Sequence, residues 1–279
     1  MPSRMTEEII KLYTKRHGFR EDVFGDKPYA NLGYWDRDGM TLAEACDALT
    51  DLVASTARLG PGDRVLEVGC GYGASAVYYT QRYRPSSVIG IDATEIRIKA
   101  GQEYIAQQGL GDVIQLRLGD ATSLEFEEAT FTKVLAIECA FHFDTRQDFL
   151  REAARVLAPG GILAMTDVIP KRRVDPKKFL DRGPPVLGEV CLEIPANAYD
   201  ADVYAGYLKE AGFEAIRVES INDKTRLPFA DHMDRLARER GGDRGAKLAT
   251  IAQRHREQEA AGADYVLVAA HRSTSTPAL

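Results

Sequence analysis

The residues best suited to chemistry fall in one half of the chain: Glu67, Gly69, Gly71 and Gly73, then Asp92, Asp120, Glu138 and His142. Glycines on alternate positions let the backbone pass close to a ligand, because no Cβ blocks the approach. The spacing is G-x-G-x-G, not the G-x-G-x-x-G of dinucleotide binders, and Glu67 stands two residues ahead of it. A carboxylate there repels a pyrophosphate and suits a positively charged ligand, which disfavours a nicotinamide dehydrogenase. A structural turn is the plainer reading of the glycines alone. Asp92 closes the next apolar run, where a carboxylate can accept both protons of a sugar diol. The plainer reading is a helix N-cap, but Thr94 followed by Glu95 fits that role better and leaves Asp92 for a ligand. Asp120, after Gly119, reads by itself as an ordinary turn aspartate. His142, with an unperturbed pKa of ~6.5, suits a general base at neutral pH. A packed ring between Phe141 and Phe143 is the alternative, and Glu138 is a second candidate base.

These side chains need strands that end where they begin. Arg64 to Val68 is a short apolar run with two valines, the composition of a buried strand, and Ala74 to Tyr79 after the glycines reads as a helix. The unit is therefore strand, glycine turn, helix, whose first N–H groups face the turn. Further strands are expected at Ser87–Ile91, Val113–Leu118, Phe131–Ile137, Ile162–Val168, Ala215–Ile221 and Ala263–Ala270. Helices are expected at Thr41–Leu59, Ile96–Gln108, Arg146–Leu157 and Asp200–Ala211, with a helical stretch from Leu227 to Ala261 interrupted near Gly241-Gly242. Thr41 with Glu44, and Thr145 with Asp148, have the capping-box pattern.

The 279 residues are 44% hydrophobic, enough for one core domain with additions. A net charge of −6 argues against a nucleic-acid partner. Cys46, Cys70, Cys139 and Cys191 are widely spaced, as reduced thiols of a cytoplasmic protein are, and give no metal site. No apolar run resembles a secretory signal or a membrane span. From Pro170 to Asn197 the pattern turns irregular, with Lys171, Arg172, Arg173, Lys177 and Lys178. That basic run is a solvated face or a contact for an anionic substrate. The segment Tyr29 to Trp35 is either a hydrophobic plug or a lid.

Three motifs in order at three successive strand ends resemble class I S-adenosylmethionine-dependent methyltransferases, whose first motif reads E/D-x-G-x-G-x-G. A helix ending Val156-Leu157-Ala158-Pro159-Gly160-Gly161 before an apolar strand is habitual there too. The chain is most similar to bacterial natural-product methyltransferases of the rebeccamycin sugar O-methyltransferase type, and more distantly to cyclopropane fatty acid synthases. The resemblance implies an α/β Rossmann-like sheet of seven strands with helices on both faces. It implies an N-terminal lid (1–40), a cofactor-binding core (41–170), a cap inserted after the fifth strand (171–199) and a C-terminal completion of the sheet (200–279). It implies S-adenosylmethionine as cofactor, held by Glu67, the three glycines, Asp92 with Ala93 on the ribose, Asp120 with Ala121 on adenine, and Glu138 with Tyr34 at the methionine end. Methyl transfer to a small-molecule hydroxyl with His142 as base is the implied reaction. C- or N-methylation and a non-methylating cyclisation stay open, as does a homodimer. Phe141 replaces one histidine of a pair found in the sugar enzymes, and the glutamate of the cyclopropane synthases.

Overall fold

A computed structural model describes residues 4–16, 27–172 and 194–274. In chain order the elements are α1 (Arg4–Arg16), α2 (Leu42–Thr56), β1 (Arg64–Val68), α3 (Ala74–Tyr83), β2 (Ser87–Asp92), α4 (Glu95–Gln107), β3 (Ile114–Leu118) and β4 (Phe131–Ile137). Then follow α5 (Arg146–Val156), β5 (Leu157–Pro170), α6 (Ala201–Glu210), β6 (Phe213–Ser220), α7 (Arg226–Arg240), α8 (Gly242–Ala260) and β7 (Ala263–Arg272). The seven strands form one sheet in the order β3-β2-β1-β4-β5-β7-β6. β1 to β5 pair in parallel, and β7 runs antiparallel between β5 and β6.

Strand alternation sorts the core into two faces. Leu66, Val68, Val134 and Ala136 meet Phe149 and Leu150 of α5 and Tyr204 and Leu208 of α6. Val65, Val88 and Leu135 meet Val53 of α2, Val77 of α3 and Ile98 and Ile105 of α4. Helices therefore cover both faces, as the resemblance implies. Strand order reverses at β1, whose neighbours are β2 and β4, so a crevice opens at the carboxyl ends of these strands.

Both capping boxes form: Thr41 and Thr145 each receive the backbone N–H three residues on. β5 starts earlier than the proline–glycine break suggests. Leu157 already pairs with Phe131, and residues 158–161 bulge before Ile162 pairs with Lys133. A second irregularity between Glu214 and Arg217 lets β6 begin at Phe213. The expected cap lies largely in residues 173–193, outside the described residues. Of its basic run, Lys171 is described and pairs with Glu259 at 2.7 Å. Beyond it, residues 194–200 dock on a buried network. Arg146 meets Asp167 at 2.7 Å and donates to the carbonyls of Val168 and Asn197, while Tyr204 donates to Asp167. Asn197 in turn donates to the Phe143 carbonyl, which fixes the loop after β4. Among the described residues no helix is long and apolar enough to cross a membrane.

Candidate active site

The crevice is a pocket open to solvent, with about 1040 Å³ of empty space that includes part of its mouth. The ends of β1, β2, β3 and β4 form its floor and α1 with residues 28–31 its rim. Glu67, Gly69, Gly71, Asp92, Ala93, Asp120, Ala121, Glu138 and His142 all line it. The fold thus gathers four separate stretches of sequence into one space. Gly73 and Tyr34 are not among the lining residues.

The glycine turn works in three different ways. Gly69 has φ +69, and a Cβ on it would lie 2.5 Å from Cβ of Cys139, so only glycine lets β1 end against the turn after β4. A Cβ on Gly71 would project toward Arg97 of α4, 3.9 Å from its nearest guanidinium nitrogen, where a ligand could otherwise pass. A Cβ on Gly73 would press on Leu116 and Ile105 at 3.1 and 3.2 Å, so Gly73 secures packing on β3 and α4 and not the cavity wall.

Thr94 takes the N-cap position of α4 but makes no side-chain cap bond. Asp92 is held just ahead of the helix: its Oδ1 accepts from the Thr94 N–H at 2.8 Å and its Oδ2 from the Gly71 N–H at 3.0 Å. Thr94 is thus the N-cap residue, as expected from the sequence, and Asp92 ties the glycine turn to the start of α4 while still lining the cavity. Each carboxylate oxygen retains a lone pair for a further donor. Asp120 likewise serves its own turn through Oδ1, which accepts from the N–H and hydroxyl of Thr122, both at 2.8 Å.

Two acids lie deeper. Glu67 points to the face of α3, beside Ser75, and its Oε2 is buried without a hydrogen-bond partner. Burial pushes its pKa up to about 8. Glu138 closes β4 with φ +51, a left-handed conformation that a side chain adopts at a cost and that is typical of functional sites. Its Oε1 accepts from the Leu32 N–H and the Tyr265 hydroxyl, both at 2.6 Å. Burial raises its pKa to about 7 against the pull of those two donors and of Arg226. The unpartnered Glu67 oxygen and the Gly71 approach fit a ligand that brings an ammonium group along the turn.

The segment from Tyr29 to Trp35 divides into a packed part and a part that lines the cavity. Trp35 plugs against α7, its ring 5.1 Å from that of His232, while Tyr29, Ala30 and Asn31 face the cavity. Tyr34 turns into an apolar cluster with Leu49 and Phe141 instead. It is the Leu32 amide, not the Tyr34 ring, that reaches the end of β4.

His142 sits on a single helical turn after β4 (Ala140–His142), and its Nε2 is 2.8 Å from the hydroxyl of Tyr13. Tyr13 also lies edge-on to the imidazole at 5.3 Å and under the Arg97 guanidinium at 3.9 Å. Sequence reasoning missed Tyr13 and Arg97. The signal for Tyr13 was its spacing from Ile9, one turn apart on α1, since both line the cavity. The other described histidines stand elsewhere: His232 on Trp35, His255 buried against Phe229, and His271 paired with Ile162 at the far end of β7. His17 lies outside the described residues. Among the described residues no group of three acids, histidines or cysteines is placed to hold a metal ion.

A family model described as a methyltransferase domain matches residues 66–165, the span that carries these strand ends. Erythromycin 3''-O-methyltransferase of Saccharopolyspora erythraea is 33% identical over 83% of the chain and 75% of that protein. The chain belongs to the S-adenosylmethionine-dependent methyltransferases. The 27-O-demethylrifamycin SV methyltransferase of Amycolatopsis mediterranei is 33% identical over 82% of both chains. Among solved structures, the [4+2]-cyclase SpnF superposes on this methyltransferase with a TM-score of 0.77 at 26% identity, covering 97% of each chain. The geranyl diphosphate C-methyltransferase of Streptomyces coelicolor shares the fold at 16% identity, with a TM-score of 0.74 over 97% and 98% of the two chains. The cofactor is S-adenosylmethionine and the acceptors of the family relatives are natural products.

Proposed function

We propose that this methyltransferase acts on a hydroxyl oxygen of a small natural-product acceptor, with His142 as the general base. The observation that carries the reading is the Tyr13–His142 contact: a hydroxyl already rests 2.8 Å from Nε2 inside the cavity. An acceptor hydroxyl in that place is within reach for proton transfer. The two named O-methyltransferase relatives support oxygen as the target.

In this reading Asp92 and the neighbouring Ala93 hold the ribose, Asp120 and Ala121 the adenine, and Glu67, Gly69, Gly71 and Glu138 the methionine end. S-adenosylmethionine supplies an electrophilic methyl on a sulfonium, a good leaving group. The protein then has three tasks: to align the acceptor, to exclude water and to take one proton. α1 with Ile9 and Tyr13 covers the rim, as a lid does. When Nε2 accepts a hydrogen bond the imidazole is neutral, and it can receive the acceptor's proton as the oxygen takes the methyl. Glu67 and Glu138, ionised as a bound cation draws off their protons, favour a cationic cofactor.

The likeness to SpnF keeps a second reading in play, a cofactor-binding cyclase. Turnover separates the two. Incubation with S-adenosylmethionine carrying a deuterated methyl and a panel of hydroxylated macrolides and glycosides should give an O-methylated product by mass spectrometry. His142→Ala should lose about 10²- to 10⁴-fold in turnover while keeping cofactor affinity. Full activity in that variant removes His142 as the base.

A further inference from the structure

Arg97 is the one guanidinium among the described residues that line the cavity, and the cofactor contacts named so far leave it without a task. It stands one turn into α4, directly after the Thr94 cap, where its backbone N–H meets the Thr94 carbonyl. Its guanidinium lies over two rings, 3.9 Å from the centre of Tyr13 and 5.3 Å from that of Tyr72. Its Nη1 is 3.7 Å from Asp92 Oδ2, an ion pair longer than a hydrogen bond. Its Nε is shut off from solvent and has no partner. The side chain is only 12% exposed. A largely buried cation with an unmet donor is costly unless acceptors arrive. Asp92, by contrast, already takes two backbone N–H groups and seeks only further donors.

A ribose diol needs both kinds of partner. Its hydroxyl protons need acceptors and its hydroxyl oxygens need donors. We infer that Asp92 and Arg97 act as a matched acceptor–donor pair for the vicinal diol of the cofactor's ribose, with Arg97 packed against Tyr13 and Tyr72. The inference rests on the cofactor placement proposed above and adds a residue to it. The Asp92 charge offsets that of Arg97, so the pair brings no net positive charge toward the sulfonium. The planar fork matters because it stacks on the rings and keeps its donors in one plane, which a lysine ammonium does not do.

The test is calorimetric binding of S-adenosylhomocysteine and of its 2'-deoxy and 3'-deoxy analogues to the full chain. The wild type should prefer the ribo form by about tenfold or more. Arg97→Met, similar in length but without donors, should bind the ribo form at least fivefold more weakly and prefer it by less than threefold. Arg97→Lys should fall between, and its melting temperature shows whether the site is folded if the Met variant is not. A wild-type preference retained in full by Arg97→Met overturns this inference alone. Weak binding of all three compounds by the wild type overturns the cofactor placement and this inference together.

Discussion

Glu67 is 3% exposed, and burial carries its pKa to about 8. At pH 7 and without a bound cation it is therefore about nine-tenths protonated. An ammonium group drawn to its unpartnered Oε2 favours the carboxylate, so binding must expel that proton. Ionising Glu67 at pH 7 costs about 1.4 kcal/mol, a factor of about ten in affinity. Cofactor affinity should therefore climb up to tenfold per unit from pH 6 to 8 and level off above. Glu138, at about 7, adds about half a proton at pH 7. Calorimetry of S-adenosylhomocysteine binding in buffers of different ionisation enthalpy counts the protons released. Subtracting Glu67→Gln from wild type removes the contributions of Glu138 and of the ligand's own amine. The difference should be about 0.9 proton at pH 7 and should fall as pH rises through 8. Stability carries the opposite sign. The folded pKa lies above the unfolded one, so this contribution is complete below pH 4 and lost as pH rises to 8. It amounts to at most about 5 kcal/mol, and the Gln variant should lack that slope in its melting curves. An equal proton count in both proteins refutes the placement of a cation beside Glu67.

Asp92→Asn should weaken S-adenosylhomocysteine binding at least tenfold and loosen the glycine turn, seen as faster amide exchange at Gly71; unchanged affinity counts against its ribose contact. Arg146→Met leaves Asp167 buried and unpaired and should cost about 3–5 kcal/mol in urea unfolding, whereas the double variant Arg146→Met, Asp167→Leu should recover much of that loss. Recovery of nothing would mean the network matters for shape and not for charge. Gly69→Ala should prevent the turn from closing on Cys139, with loss of cofactor binding exceeding the loss of stability; normal binding would contradict the close approach.

The strands and the glycine turn were legible because their signals are local. Two β-branched residues in five, three alternate glycines and an acid at the strand end need no tertiary context. The resemblance implied seven strands with helices on both faces, but the order β3-β2-β1-β4-β5-β7-β6 is seen only in the fold, since periodicity says which face a residue takes and not which strand lies beside it. What failed was direction. An aromatic run such as Asn31 to Trp35 marks burial, yet nothing local says that Leu32 rather than Tyr34 turns to Glu138. The capping rule placed the helix start at Thr94, but nothing local shows that Asp92 is held by the Thr94 and Gly71 N–H groups. Tyr13, Arg97 and Tyr265 were illegible as site residues for a related reason. Each meets its partner across a gap that only the folded sheet closes: Tyr13 with His142, Arg97 with Tyr13, Tyr265 with Glu138.

A crystal structure with S-adenosylhomocysteine bound tests the central claim most directly. The account predicts the adenosine between Asp92 and Asp120, the amino acid end along Glu67 and Glu138, and the sulfur facing His142. A nucleoside lying away from the ends of β1, β2 and β3, or reversed so that adenine meets Glu138, would contradict it.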